Sequence, residues 1–177
     1  MKPITDPTLV NRYTRLVDEM LVLKGTYERD FDPAWLRRHG WKVVPAKSEI
    51  SHFSPEEIER NVPALTSTGF KDCVAVATEV LDPLPACYRL AISKEDFYDF
   101  NRECGLLGYL LMDEDRSWSM SCYATYKLLA GPTKTVEALL GKPIAVAREE
   151  FLAFARSLDK GLPNTPFSKM ASRYTDT

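Results

Sequence analysis

The stretch Leu107-Gly-Tyr-Leu-Leu-Met112, Asp113-Glu-Asp-Arg116, Ser117-Trp-Ser-Met-Ser-Cys-Tyr123 and Tyr126-Lys-Leu-Leu129, with Gly131-Pro132 and helical periodicity running on to Arg156, decides the fold. It reads as strand, acidic turn, strand, strand and a helical pair. Trp118, Met120 and Cys122 alternate with serines, the period-two pattern of a strand with one wet face. Val136, Leu139 and Leu140 then fall at helical spacing, and after Pro143 so do Ile144, Ala147, Phe151, Phe154, Ala155 and Leu158.

Outward from this stretch the other elements carry local signals. Asp6-Pro7 and Asp32-Pro33 each give an N-cap acceptor followed by proline at the first helical position. The first opens an amphipathic helix of about five turns, with Leu9, Val10, Tyr13, Leu16, Val17, Met20 and Leu21 on one face and Gly25 as its stop. Trp41-Lys-Val-Val44 reads as a strand cut by Pro45, at a strand end or sheet edge. Ser54-Pro-Glu-Glu57 is a capping box, and Pro63 is expected to interrupt the helix it starts. Asp72-Cys-Val-Ala-Val-Ala-Thr78 reads as a strand in mid-sheet. The turn Asp82-Pro-Leu-Pro85 and the strand Tyr88-Arg-Leu-Ala-Ile92 follow. Ser93 caps a helix that buries Phe97, Phe100 and Cys104 and stops at Gly105.

The mixture predicts an α+β fold: an antiparallel sheet of five to six strands covered on one face by helices. Residues 1–158 form one domain with a helical N-terminal part. After Asp159 periodicity is lost, and 159–177 are expected to be an irregular tail. At 177 residues the chain can bury a sizeable core. No apolar run approaches the ~20 residues of a membrane span, and Met1-Lys-Pro-Ile-Thr-Asp6 lacks the pattern of a secretory signal, so a cytoplasmic location is expected.

The net charge of −2 is unevenly spread. Residues 1–60 hold 10 basic and 10 acidic side chains, 61–130 hold 6 and 10, and 131–177 hold 7 and 5. A mildly acidic centre argues against nucleic acid, whose phosphates call for a clustered basic face, and suits a protein partner of opposite charge. Asp96, Asp99 and Glu103 share one helix face. If the Asp113-Glu114-Asp115 turn lies beside that helix, the two make an acidic patch with Trp118 and Tyr126 as aromatic anchors, the composition of many interfaces. The ordinary reading of each is a solvated helix face and a polar turn. The turn lacks the further oxygen ligands of a calcium loop. No metal or other cofactor is expected.

Catalytic signals are few. His39 and His52 have no metal-ligand spacing, and phosphate-loop, dinucleotide and nucleophile-elbow motifs are missing. Cys73, Cys87, Cys104 and Cys122 form no Cys-x-x-Cys pair and read as buried thiols. A Cys73 or Cys122 nucleophile served by a histidine is the enzymatic alternative.

In layout, the strand, the Asp113-Glu-Asp115 turn, Ser117-Trp-Ser119, Tyr126-Lys-Leu-Leu-Ala-Gly131, Leu140-Gly141 and Glu150-Phe-Leu-Ala-Phe154 resemble the C-terminal half of small immunity proteins of bacterial polymorphic toxin systems. The resemblance covers about residues 107–156 and carries no diagnostic motif. It implies a cytosolic, non-catalytic protein that binds a cognate toxin domain and blocks it. An adaptor or structural subunit docking through the first helix is a further alternative.

Overall fold

The computed structural model describes residues 1–24, 28–48, 53–79, 84–104, 108–122, 126–158 and 166–174. Its centre is a seven-stranded antiparallel sheet. In chain order the strands are β1 (Lys2–Pro3), β4 (Lys42–Lys47), β5 (Asp72–Ala77), β6 (Cys87–Ala91), β7 (Tyr109–Met112), β8 (Ser119–Cys122) and β9 (Tyr126–Gly131); in space they lie β1-β6-β5-β7-β8-β9-β4. A separate ribbon pairs β2 (Leu21–Lys24) with β3 (Glu28–Phe31). The helices are α1 (Pro7–Met20), α2 (Pro33–His39), α3 (Pro55–Ser67), α4 (Lys94–Cys104), α5 (Thr133–Leu140), α6 (Ile144–Leu158) and α7 (Pro166–Arg173). The fold is α+β, as expected, with more strands than the five or six anticipated.

The sheet is covered on both faces, not one. Cys73, Ala75, Leu90, Tyr109, Leu111, Trp118, Met120 and Leu129 pack with Ile58 and Leu65 of α3, Phe97 and Phe100 of α4, and Val136 and Leu139 of α5. Val43, Val74, Val76, Leu110, Met112, Leu128 and Ala130 pack with Tyr13, Val17 and Met20 of α1, Trp35 and Leu36 of α2, Phe151 of α6 and Met170 of α7. The cause is visible in the strands. Cys-Val-Ala-Val and Tyr-Leu-Leu-Met are apolar at consecutive positions, so both faces need cover. Each fully buried Val, Leu or Met contributes on the order of 1.5–3 kcal/mol.

That second layer corrects several expectations. Ser119 and Ser121 are 0% and 1% exposed; the face read as wet lies under helices, with Ser121 between Leu110 and Leu128 and Ser119 between Met112 and Ala130. Helix α1 stops at Met20, where Leu21 turns extended and the chain enters β2, paired Leu21 to Phe31. Strand pairing thus wins over continuing the helix. Strand β4 runs through Pro45, which is buried and pairs with Leu128. Among the described residues β4 lies at the sheet edge with β9 as its neighbour, and an edge strand tolerates a residue without an N–H. Pro63 lies inside α3 without ending it. It is on the exposed side, where water can donate to the carbonyl one turn back that Pro63, lacking an N–H, leaves unpaired.

The tail is also corrected. Helix α7 lies within the expected irregular tail; Met170 on it and Tyr174 just past it, 5% and 2% exposed, enter the core. The Tyr174 hydroxyl donates to Asp30, a buried carboxylate of β3 that also pairs with Arg173. The expected stops at Gly25 and Gly105, the Asp82-Pro83 part of the turn, His52 and residues 159–165 lie outside the described residues. No helix among the described residues is long and apolar enough to cross a membrane.

Candidate functional site

The acidic residues singled out in the sequence differ in what they hold. Asp113 is 5% exposed. Its carboxylate accepts from Ser117 N at 2.7 Å, Ser117 Oγ at 2.5 Å and Trp118 N at 2.9 Å. It closes the β7–β8 turn and is spent on structure. Glu114 accepts from the Tyr13 hydroxyl at 2.6 Å and pairs with Arg89, tying the turn to α1. Asp96 accepts from Ala91 N at 2.6 Å and from the terminal amino group at 2.5 Å. Asp99 takes Arg102 Nη2 at 2.8 Å. Glu103 and Asp115 are exposed.

The proposed aromatic anchors are interior. Trp118 is 0% and Tyr126 8% exposed; the first stacks edge-on to Phe70 at 6.1 Å and the second to Phe151 at 6.3 Å. Neither can meet a partner. Among the described residues the aromatic most open to solvent is Tyr98, 44% exposed on the outer face of α4. Glu95, Asp99 and Glu103 run along that helix at four-residue spacing beside it, so one stripe carries three carboxylates. Asp99 also lies 3.9 Å from the terminal amino group, and its bond to the exposed Arg102 is of a kind that contributes about 0–1 kcal/mol. The helical register of Tyr98 within Phe97-Tyr-Asp-Phe100 was the available signal: Phe97 and Phe100 face in, which turns Tyr98 out.

Glu114 couples the turn to pH. Hydrogen bonds first from Tyr13 and then from Arg89 hold its carboxyl below the ordinary value of 4.5. Its charged form therefore favours the fold above about pH 4.5, and that contribution disappears as the pH falls through the lowered value. Glu114→Gln should be less stable than wild type at pH 7 and converge with it in acid, as measured by urea unfolding at both pH values. The side chains of Glu114 and Arg89 are each 38% exposed, so the difference will be small.

All four cysteines are buried and free. Burial pushes the thiol of Cys87 up to about 11 and that of Cys122 to about 12, and raises Cys73 and Cys104. Cys73 and Cys122 belong to the core on one sheet face. His39 lies on α2, which covers the other, stacked on Trp35 at 4.0 Å. The sheet separates the described histidine from both nucleophile candidates. Thiolate formation, which reactivity requires, is opposed at every cysteine. Ellman's reagent should find no fast thiol in the native protein at pH 8 and all four in denaturant; one rapid native thiol would contradict this placement. Among the described residues no cluster of three or more His, Cys, Asp or Glu could hold a metal ion.

A cleft of about 550 Å³ opens between the end of β4, α3, α5 and α6. Leu140, Ala147, Phe151 and Phe154 supply an apolar wall. Glu57 and Ser48 line its inner side and hold Lys127, which is 1% exposed. Lys127 Nζ donates to Glu57 Oε1 and Oε2 at 2.9 and 2.8 Å and to Ser48 Oγ at 2.8 Å. Glu57 Oε2 also accepts from Ser54 N at 2.8 Å, and Ser54 Oγ from Glu57 N at 3.2 Å, so one carboxylate serves the α3 cap and the buried ammonium together. The capping box is legible in the sequence; Lys127 is marked there only as a lone cation in the otherwise apolar run Tyr126–Gly131. Comparison with protein-family models, with curated proteins and with solved structures finds no match to the chain.

Proposed function

We propose that this chain is a non-enzymatic binding protein that sequesters a protein partner, in the manner of an immunity protein neutralising a cognate bacterial toxin in the cytoplasm. The observation that carries the reading is the outer face of α4, where the exposed Tyr98 stands beside the Glu95, Asp99 and Glu103 stripe. Tyrosine supplies contact area at low entropic cost, and the flanking carboxylates favour a basic partner surface. The layout of residues 107–156 supports the narrower immunity reading. The burial and raised pKa values of the cysteines weigh against the cysteine-enzyme alternative.

The test begins with affinity capture from the native host, followed by expression of the captured protein alone and together with this chain. Toxicity alone, relieved by co-expression, supports the reading; toxicity unrelieved, or a harmless captured protein, counts against the immunity role. Tyr98→Ala should weaken the complex by about 2 kcal/mol, roughly thirtyfold. Asp99→Asn with Glu103→Gln should lower the association rate and its salt dependence. Unchanged binding in both variants would remove α4 as the contact face.

A further inference from the structure

We infer that α7 is a detachable strap, released as a local unit while the sheet stays closed, and that Asp30 is the clasp that holds it shut. This goes beyond the partner reading and does not rest on it. A helix of 8 residues is too short to hold itself together in water, so α7 is ordered by what it rests on. Its main neighbour is α6. Met170 and Tyr174 are its buried anchors, with Ala171 partly buried beside them, while Lys169, Ser172 and Arg173 face solvent. The sheet is held differently. Strands β5, β7 and β8 pair along both edges and are buried over nearly their whole length. Opening free energy follows local burial and pairing of this kind, which places α7 well below the sheet.

Asp30 closes the contact. It is 2% exposed on β3, and its carboxylate accepts from the Tyr174 hydroxyl and pairs with Arg173. Both partners stand at the end of α7, so the two bonds form and break with its docking. A carboxylate in this place acts differently from an apolar residue. Docked, it gives up its water, and a hydroxyl and a guanidinium take the place of that water. Lifted, it regains water, and the surface left bare is the seat of Met170 and Tyr174 in the core layer that holds Tyr13, Trp35 and Phe151. The Arg173 side chain, 37% exposed while docked, is already partly in solvent. The clasp thus fixes where α7 docks without tying its release to unfolding of the sheet.

Native-state hydrogen exchange on the ¹⁵N-labelled full chain, at urea concentrations below the unfolding transition, tests this. After correction for intrinsic rates, the amides of Met170, Ala171, Ser172 and Arg173 should exchange together, on the order of a hundredfold faster than those of β5, β7 and β8. Their rates should also depend less on urea, because less surface is exposed in opening. Asp30→Asn should speed exchange at α7 by about a further tenfold, through loss of hydrogen bonds to a charged group, and leave the sheet unchanged. Tyr174→Phe, which keeps the ring and removes the hydroxyl, serves the same comparison if Asp30→Asn does not fold. Equal exchange of α7 and the sheet in the wild type, with equal urea dependence, would overturn the proposal. So would a variant that speeds both elements alike, or neither.

Discussion

Glu57→Ala should destabilise the protein by about 3–5 kcal/mol, the range for removing one partner of a buried ion pair. Lys127 is 1% exposed and donates to both oxygens of Glu57. Without the carboxylate its ammonium loses two charge-assisted hydrogen bonds to an anion, while Ser48 Oγ and the face of Phe53, 5.2 Å away, remain beside it. The same substitution removes half of the α3 capping box, since Glu57 Oε2 no longer accepts from Ser54 N. Loss of a cap alone is worth about 1 kcal/mol, so the larger part belongs to Lys127. Equilibrium urea unfolding of the single variants and of Glu57→Leu/Lys127→Met separates the two. The double variant should recover most of the loss, because an apolar pair of similar volume avoids the desolvation cost of both charges. A double variant as unstable as Glu57→Ala would mean that the cap, not the ion pair, governs this corner.

This pair also marks where sequence reading stops. Short-range chemistry was legible. The Asp6, Asp32 and Ser54 caps all form, each side-chain oxygen accepting from a backbone N–H, of Thr8, Ala34 and Glu57 in turn. Each depends only on residues within three positions. What was not legible depended on a second layer. Alternating serines look identical whether they face water or sit as small side chains beneath a helix, so Ser119 and Ser121 were read as solvated. Only the packing of α1, α2 and α6 on that face decides otherwise. Helix α7 was missed for a related reason. Its hold on the fold comes from Tyr174 and Arg173 reaching Asp30, some 144 residues away for the tyrosine. The candidate interface followed the same rule. Aromatic type alone nominated Trp118 and Tyr126, whereas helical register was needed to find Tyr98.

Trp118→Ala should destabilise the protein by about 3–5 kcal/mol, a large share of the 5–15 kcal/mol that folds typically hold. The indole is 0% exposed, and its backbone is fixed from two sides. Its N–H donates to Asp113 Oδ1 at 2.9 Å, and Gly131 packs so closely that a Cβ there would lie 3.4 Å from Trp118 Cα. A backbone held in this way cannot collapse into the vacated space, which places the loss toward the upper end of the range. Trp118→Phe should cost clearly less. It retains a ring against Phe70 and removes an indole N–H that is buried without a hydrogen-bond partner among the described residues, so part of the lost volume is offset by lost desolvation. Thermal and urea unfolding of the two variants should therefore rank alanine well below phenylalanine. If Trp118 instead served recognition, both variants would keep wild-type stability and lose the partner. Full burial beside the Asp113 turn requires the opposite: lower stability in both variants.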